Sequence, residues 1–268
     1  VSATTIGSNN LEFQRIASSG APSGIILNAT GAGGLKVTGT GVLNTGGVIS
    51  SSTGPGVLLT AVQNINLSFM SIQNSGDDGI RGSSVVNFTM ADTNVNLNGN
   101  AVGERGIEMT NLTGTASITN SSLTGNAEDN LYVSNSTGTL SSFNITGSTF
   151  SNTSGSIGND GIHFEGVTGA PNMTINVSSC TFSNNRGDHF QATTDAANTA
   201  NLDVTFQNNT MTGSPSNLGA GITINTGGSS TTNFDIVNNG TAGSPMIGAV
   251  SGHDQQCSEC KSQWKYHR

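Results

Sequence analysis

The sequence predicts an all-β chain whose short strands stack in parallel as a solenoid, on three observations. Seven short segments align on one pattern, beginning at Gly56, Gly79, Gly106, Asn130, Gly161, His189 and Gly221, with successive starts 23, 27, 24, 31, 28 and 32 residues apart. Apolar residues alternate with polar ones at period two over three to five residues, which marks strands with one buried face. Gly (37 residues), Asn, Ser and Thr separate these runs, and no stretch carries a 3.6-residue period. A recurring unit of this size means stacked repeats, so it also predicts which side chains are neighbours.

Each unit holds three apolar stations. The first is the Gly-Ile pair with a second apolar residue two positions on: Ile107 and Met109, Leu131 and Val133, Ile162 and Phe164, Ile222 and Ile224. The second alternates likewise: Ile65 and Leu67, Phe88 and Met90, Phe143 and Ile145, Met173 and Ile175, Leu202 and Val204, Phe234 and Ile236. The third is a single anchor: Ile72, Val95, Leu123, Phe150, Phe182 and Met211. Three strands per unit of 23–32 residues resembles the right-handed parallel β-helix, a single-stranded solenoid here of about 7–8 coils. Like stations would stack about 4.8 Å apart, and seven spacings give an array roughly 34 Å long. One coil cannot bury its apolar face alone, so cooperativity comes from neighbours.

Taken in order, residues 1–23 form an N-terminal cap or lead-in, 24–252 the β-helix, and 253–268 a non-repeat tail. In the lead-in, Leu11, Phe13 and Ile16 are expected to cover the open end, with Gly24–Leu27 and Leu35–Val37 as an earlier coil. Asn74, Asn152 and Asn184 each follow a third anchor by two residues, which suggests an amide ladder at that turn. The distance from motif start to third anchor grows as 16, 16, 17, 20, 21 and 22 residues. The turns through Ser134–Ser142, Glu165–Asn172 and Thr193–Asn201 therefore lengthen, and longer loops on one edge are where a binding face is built. Cys180 sits in the repeat and is expected to be a small buried apolar residue. The tail holds Cys257, Cys260 and the single Trp, and reads as a cap for the open core or as a scar left by truncation.

Composition bounds the function. A net charge of −8 and a pI near 4.7 argue against nucleic acid as a partner. No run of about 18 apolar residues exists, so no helical membrane span is expected. The start, Val1–Thr5, lacks a charged and an apolar leader region, so any signal peptide is expected to have been removed.

Charge gathers on one edge. With Ile107 and Met109 inward, Glu108 points outward, and the same logic gives Leu58, Arg81, Glu108, Tyr132, His163, Gln191 and Thr223 as one outward column. Beside it stand Asp77, Asp78, Glu104, Arg105, Glu128, Asp129, Asp160, Arg186 and Asp188, with Glu165 two residues beyond His163. Together these sites hold nine of the sixteen acids and three of the eight Lys/Arg residues. Three chemistries fit them. The residue before Gly-Ile is a natural turn position, where Asp bonds backbone. Carboxylates at Asp78, Glu104, Asp129, Asp160 and Asp188, stacked a few ångströms apart, suit Ca²⁺. Catalysis could use Asp77, Asp78 and Glu108 as acid and base, or Arg81 or His163 to take a proton beside a neutralised carboxylate. Tyr132, Glu165, Arg186 and Gln191 would then line the substrate.

Asn74-Ser75-Gly76-Asp77-Asp78-Gly79-Ile80 resembles the Gly-Asp-Asp segment of polygalacturonase-type glycoside hydrolases, in which the two aspartates would be catalytic. That match covers about seven residues, and the family's Asn-Thr-Asp, Gly-His-Gly and Arg-x-Lys segments are not found at suitable places. Over residues 24–243 the chain is similar to the broader pectate-lyase-like group of parallel β-helix repeat proteins, which includes bacterial surface passengers and adhesins of the autotransporter type. Few aromatic residues (5%) and coils rich in Thr, Ser, Asn and Gly resemble the passengers more than the enzymes. The resemblance implies a secreted or cell-surface protein of bacterial type, acting as a binding or structural segment that contacts polysaccharide or another surface ligand. Its alternative is a polysaccharide lyase or glycoside hydrolase acting on acidic glycans through the charged column, with Ca²⁺ as its cofactor.

Overall fold

Alternating inward apolar residues become strands, and the strands become coils. The computed structural model describes residues 1–153, 157–212, 219, 221–240 and 250–254. Among these residues the chain is all-β, without helix, and winds as a parallel β-solenoid of about eight turns. Every strand pairing is parallel. Third stations form one sheet in chain order, from Ser18–Ser19 and Gly47–Ser50 through Met70–Gln73, Asn94–Asn96, Ser122–Thr124, Thr149–Ser151 and Thr181–Ser183 to Thr210–Thr212. First and second stations join into a second sheet, because Val57–Ser68 and Ile80–Ala91 each run through both stations as one bent strand. The bends are carried by residues of positive φ, Ala61 and Asn64 in one strand and Ser84 and Asn87 in the other. From Ile107–Thr110 onward the longer turns separate the two stations into distinct strands.

The predicted stations are the core, except that Phe234 and Ile236 are only partly buried against it. Ile65, Leu67, Phe88, Met90, Ile107, Leu131, Phe143, Ile162 and Phe164 are buried, as are all six third anchors. Cys180 is buried among them. Phe150 stacks on Phe182 with ring centroids 5.4 Å apart, and Phe182, Phe206 and Phe190 continue the contact at 5.5 and 5.0 Å. Each such pair adds about 0.5–1.5 kcal/mol beyond area burial. In the lead-in, Leu11 and Ile16 pack on the core, but Phe13 is exposed. Leu11–Phe13 is instead a strand paired with Leu35–Val37. At the other end Val250–Asp254 pairs with Ile222–Thr226, and residues 255–268, most of the expected tail, lie outside the described residues.

Two of the three corners share one construction. A residue of positive φ turns the chain, and the next residue points its side chain inward, where in several coils it accepts an N–H from the preceding coil. Between third and first stations the turning residues are Ser51, Asn74, Leu97, Gly125, Asn152 and Asn184. The inward residues after them include Asn98, Asn126 and Asn185, all buried. Asn98 Oδ1 accepts from the Ser75 amide and Asn126 Oδ1 from the Asn98 amide, both at 3.1 Å. The amide ladder thus lies one residue beyond the expected Asn74, Asn152 and Asn184, which serve as left-handed corners because Asn tolerates that conformation better than other side chains. The corner before the third station is built the same way. Thr93 Oγ1, Ser121 Oγ and Ser148 Oγ accept from the amides of Met70, Thr93 and Ser121, and Asn209 Oδ1 accepts from Cys180.

Candidate functional site

The outward column of the first station forms as expected. Leu58 pairs with Arg81, Arg81 with Glu108, Glu108 with Tyr132, Tyr132 with His163, His163 with Gln191 and Gln191 with Thr223. Adjacent members stand one strand spacing apart, so charges 23–31 residues distant in sequence interact directly.

Behind this column the residues before Gly-Ile form a second one: Asp78, Arg105, Asp129, Asp160 and Asp188. All four aspartates are buried. Their carboxylates take backbone amides of the next coil. Asp78 Oδ1 accepts from Arg105 N at 2.5 Å, Asp129 Oδ1 from Asp160 N at 2.8 Å and Asp160 Oδ1 from Asp188 N at 2.6 Å. The turn role expected for these aspartates is therefore real, but it links coils rather than closing a local turn. Burial pushes Asp78 up to about 7, against the opposing pull of the Arg105 amide and the Arg81 cation. Asp160 is pushed up to about 9 by burial and by the neighbouring carboxylates of Asp129 and Asp188. Burial likewise raises Asp129.

Two arginines tie the columns together. Arg81 Nε meets Asp78 Oδ2 and Arg81 Nη2 meets Asp77 Oδ1, each at 2.5 Å, with Glu108 at 3.9 Å. Arg105 meets Asp129 at 3.0 Å, Glu128 at 3.1 Å and Glu108 at 3.3 Å. Its guanidinium also lies 4.1 Å from the Tyr132 ring centroid. Burial works against the Arg105 cation, but Asp129, Glu128 and Glu108 outweigh it and raise its pKa. Glu108 bridges both arginines, so Asp77, Asp78, Arg81, Glu108, Arg105, Glu128 and Asp129 form one continuous ion-pair chain.

Tyr132 and His163 continue the chain without charge. The Tyr132 hydroxyl donates to Glu165 Oε2, and its ring meets His163 edge-on at 5.1 Å. Burial, with the Glu165 contact next, raises the Tyr132 pKa. His163 Nε2 lies 3.2 Å from Thr193 Oγ1, and Nδ1 lies 3.8 Å from Asp160 Oδ2. Thr193, His163 and Asp160 thus stand in the order of a nucleophile, base and orienting acid. The protonation states do not suit that chemistry. Burial holds His163 down to about 4 and Asp160 up to about 9, so near neutral pH the pair is an uncharged imidazole facing a protonated carboxyl.

The remaining expected residues are placed as follows. Glu104 stands apart from the carboxylate column and caps its own loop, accepting from Asn100 N at 2.5 Å and Ala101 N at 2.7 Å. Arg186 Nη1 donates to the Gly158 carbonyl at 3.0 Å, away from the ion-pair chain. Gln191 stands beside His163 in the column. The candidate Ca²⁺ set does not converge: among the described residues no group of three or more His, Cys, Asp or Glu could hold a metal ion. Sequence reasoning placed Arg105 and Glu128 beside the column but gave them no role, although Arg105 is the hub. Its signal was an Arg at a position that four of the other six coils fill with Asp. Thr193 went unnoticed because nothing in its local sequence sets it apart. Compared with protein-family models, with curated proteins and with solved structures, the chain matches none.

Proposed function

We propose that this chain is a segment of a secreted or cell-surface β-solenoid, a passenger- or adhesin-like module that binds or spaces rather than catalyses, and that contacts polysaccharide. One observation carries this reading. The groups that would do catalysis are spent on one another: Arg81 and Arg105 on five carboxylates, with Glu108 shared, and Asp78, Asp129 and Asp160 on backbone amides of the next coil. Charge on this edge then serves as inter-coil adhesion, leaving the polar Ser, Thr and Asn faces for contact. Bacterial origin and surface display rest on the resemblance of the coils to passenger segments.

A polysaccharide lyase or hydrolase is the second reading, favoured by Asp78. A buried carboxyl held up to about 7 beside Asp77 and Glu108 has the pKa of a general acid. Incubation with acidic polysaccharides, with and without Ca²⁺, separates the two. The binding reading expects no new reducing ends and no unsaturated products. Products that disappear in Asp78→Asn or Arg81→Ala would overturn it. Calcium belongs to the catalytic reading, and a melting temperature unchanged at millimolar Ca²⁺ counts against a tight native-state site.

A further inference from the structure

On the face of the second station, away from the charged column, lies a cleft of about 240 Å³ lined by Asn10, Lys36, Asn64, Asn66, Asn87 and Thr89. It arises where three strands stack, since Lys36 pairs with Asn66 and Asn66 with Thr89.

The cleft offers mainly hydrogen-bond donors, although the Thr89 hydroxyl and the second lone pair of an amide oxygen can still accept. All four asparagines have their amide oxygens engaged within the fold. Asn10 Oδ1 accepts from Gly34 N at 2.8 Å, and Asn66 Oδ1 from the Ser68 hydroxyl at 3.0 Å. Asn64 Oδ1 accepts from Asn87 Nδ2 at 2.9 Å, and Asn87 Oδ1 from Thr115 N at 3.0 Å. Asn64 Nδ2 is spent as well, on the Ala32 carbonyl. Among the described residues, the amide N–H groups of Asn10 and Asn66 and the Thr89 hydroxyl have no acceptor. Lys36 Nζ, with three donors, meets only Glu12 at 3.2 Å on the exposed rim. What faces the cleft is therefore a cation and several N–H and O–H donors, in a chain that is otherwise strongly acidic.

We propose that this cleft binds a singly charged oxyanion, a carboxylate or a sulfate ester, carried on a saccharide ring. Lys36 supplies the charge, and the Asn10 and Asn66 amides supply fixed hydrogen bonds to the oxyanion. Thr89 serves a ring hydroxyl. The volume falls below the roughly 300–1,000 Å³ of pockets for drug-sized ligands, so the site takes one ring rather than an oligomer. The sugar rests on the glycan-contacting reading above; the oxyanion follows from the cleft alone. Glu12 is the built-in competitor, because its carboxylate already occupies one donor of Lys36.

Calorimetric titration of the whole chain with glucuronate, galactose 6-sulfate and uncharged glucose tests this. Saturable binding is expected for glucuronate, for the sulfate ester, or for both, and not for glucose; which anion binds more tightly names the oxyanion. A charge-assisted hydrogen bond is worth about 1.5–3 kcal/mol, so Lys36→Met should weaken binding by about tenfold or more. Glu12→Gln should tighten it. Glu12 is exposed and Lys36 half-buried, and an unchanged circular-dichroism spectrum separates lost binding from lost fold. Equal binding of glucose, no saturable binding of either anion, or binding indifferent to Lys36→Met would each overturn the proposal. Binding lost in Glu108→Gln but kept in Lys36→Met would move the ligand to the charged column, overturning the cleft and leaving the glycan-contacting reading intact. Retention of glucuronate through Lys36 without retention on any polysaccharide would uphold the cleft and sink that reading.

Discussion

Replacing Arg105 by Met tests whether the charged column is structural. Arg105 is the cation for Asp129, which is 1% exposed, and for the partly buried Glu108 and Glu128. Met fills much of the same volume, so the change removes charge more than packing. Breaking a buried ion pair from one side costs about 3–5 kcal/mol, but the stranded carboxyl can escape by taking up a proton. For an ordinary carboxyl near 4, protonation costs about 4 kcal/mol at pH 7 and about 1.5 kcal/mol at pH 5. These figures cap the loss at Asp129, and its already raised pKa lowers the cap. The lost contact with the Tyr132 ring adds about 0.5–2 kcal/mol. Urea unfolding followed by circular dichroism should therefore show a loss of about 2–4 kcal/mol at pH 7, shrinking clearly at pH 5. The Arg105→Met, Asp129→Asn double variant should recover most of it. A loss under about 1 kcal/mol at pH 7, or one equal at both pH values, would show that solvent screens these charges and refute an adhesive column.

Two further predictions follow from the pair beside Thr193 and from the corners. Asp160 is held up to about 9, so the folded state binds the extra proton from about pH 4 upward and loses stability as pH rises toward 9. His163 is held down to about 4, so the unfolded state binds the extra proton between about 4 and 6.5, and stability rises with pH across that window. Asp160→Asn should flatten the alkaline limb and raise stability at pH 8, whereas a steeper limb would show that Asp160 is ionised in the fold. At the corner, Asn126→Ala should cost about 2–4 kcal/mol, because the Asn98 amide and the Val95 carbonyl lose buried partners. Asn152→Gly, one residue earlier in the same corner pattern, should stay within about 1 kcal/mol of the parent, since Gly adopts positive φ freely. Equal costs at the two positions would contradict the division of labour between turning and inward residues.

The register was legible because strand period and repeat period agree. Gly-Ile before an alternating run fixes which side chain is inward, so the sequence Leu58, Arg81, Glu108, Tyr132, His163, Gln191, Thr223 could be written without coordinates. The corners were legible only as composition. Asn is favoured both at positive φ and as an inward acceptor, so the recurrence of Asn74, Asn152 and Asn184 could not say which role each filled. The partners of the charges were less legible still. Whether Arg105 reaches Asp129 or Glu108 depends on rotamers and on the rise between coils, and neither leaves a mark in residue spacing. The donor-rich cleft was invisible for a related reason: four asparagines look alike until the partner of each amide oxygen is known.

Among the described residues the strand-to-strand backbone hydrogen bonds run along the solenoid axis, because every strand pairs in parallel with its neighbours in adjoining coils. Tension applied between the two ends therefore pulls each coil directly away from the next, opening rungs one after another rather than shearing a whole sheet at once. A released coil of 23–32 residues pays out about 3.3–3.6 Å per residue. The chain would yield as a series of short, similar extensions. Resistance to such a pull is then set locally, by the corner hydrogen bonds and column ion pairs that join each coil to the next.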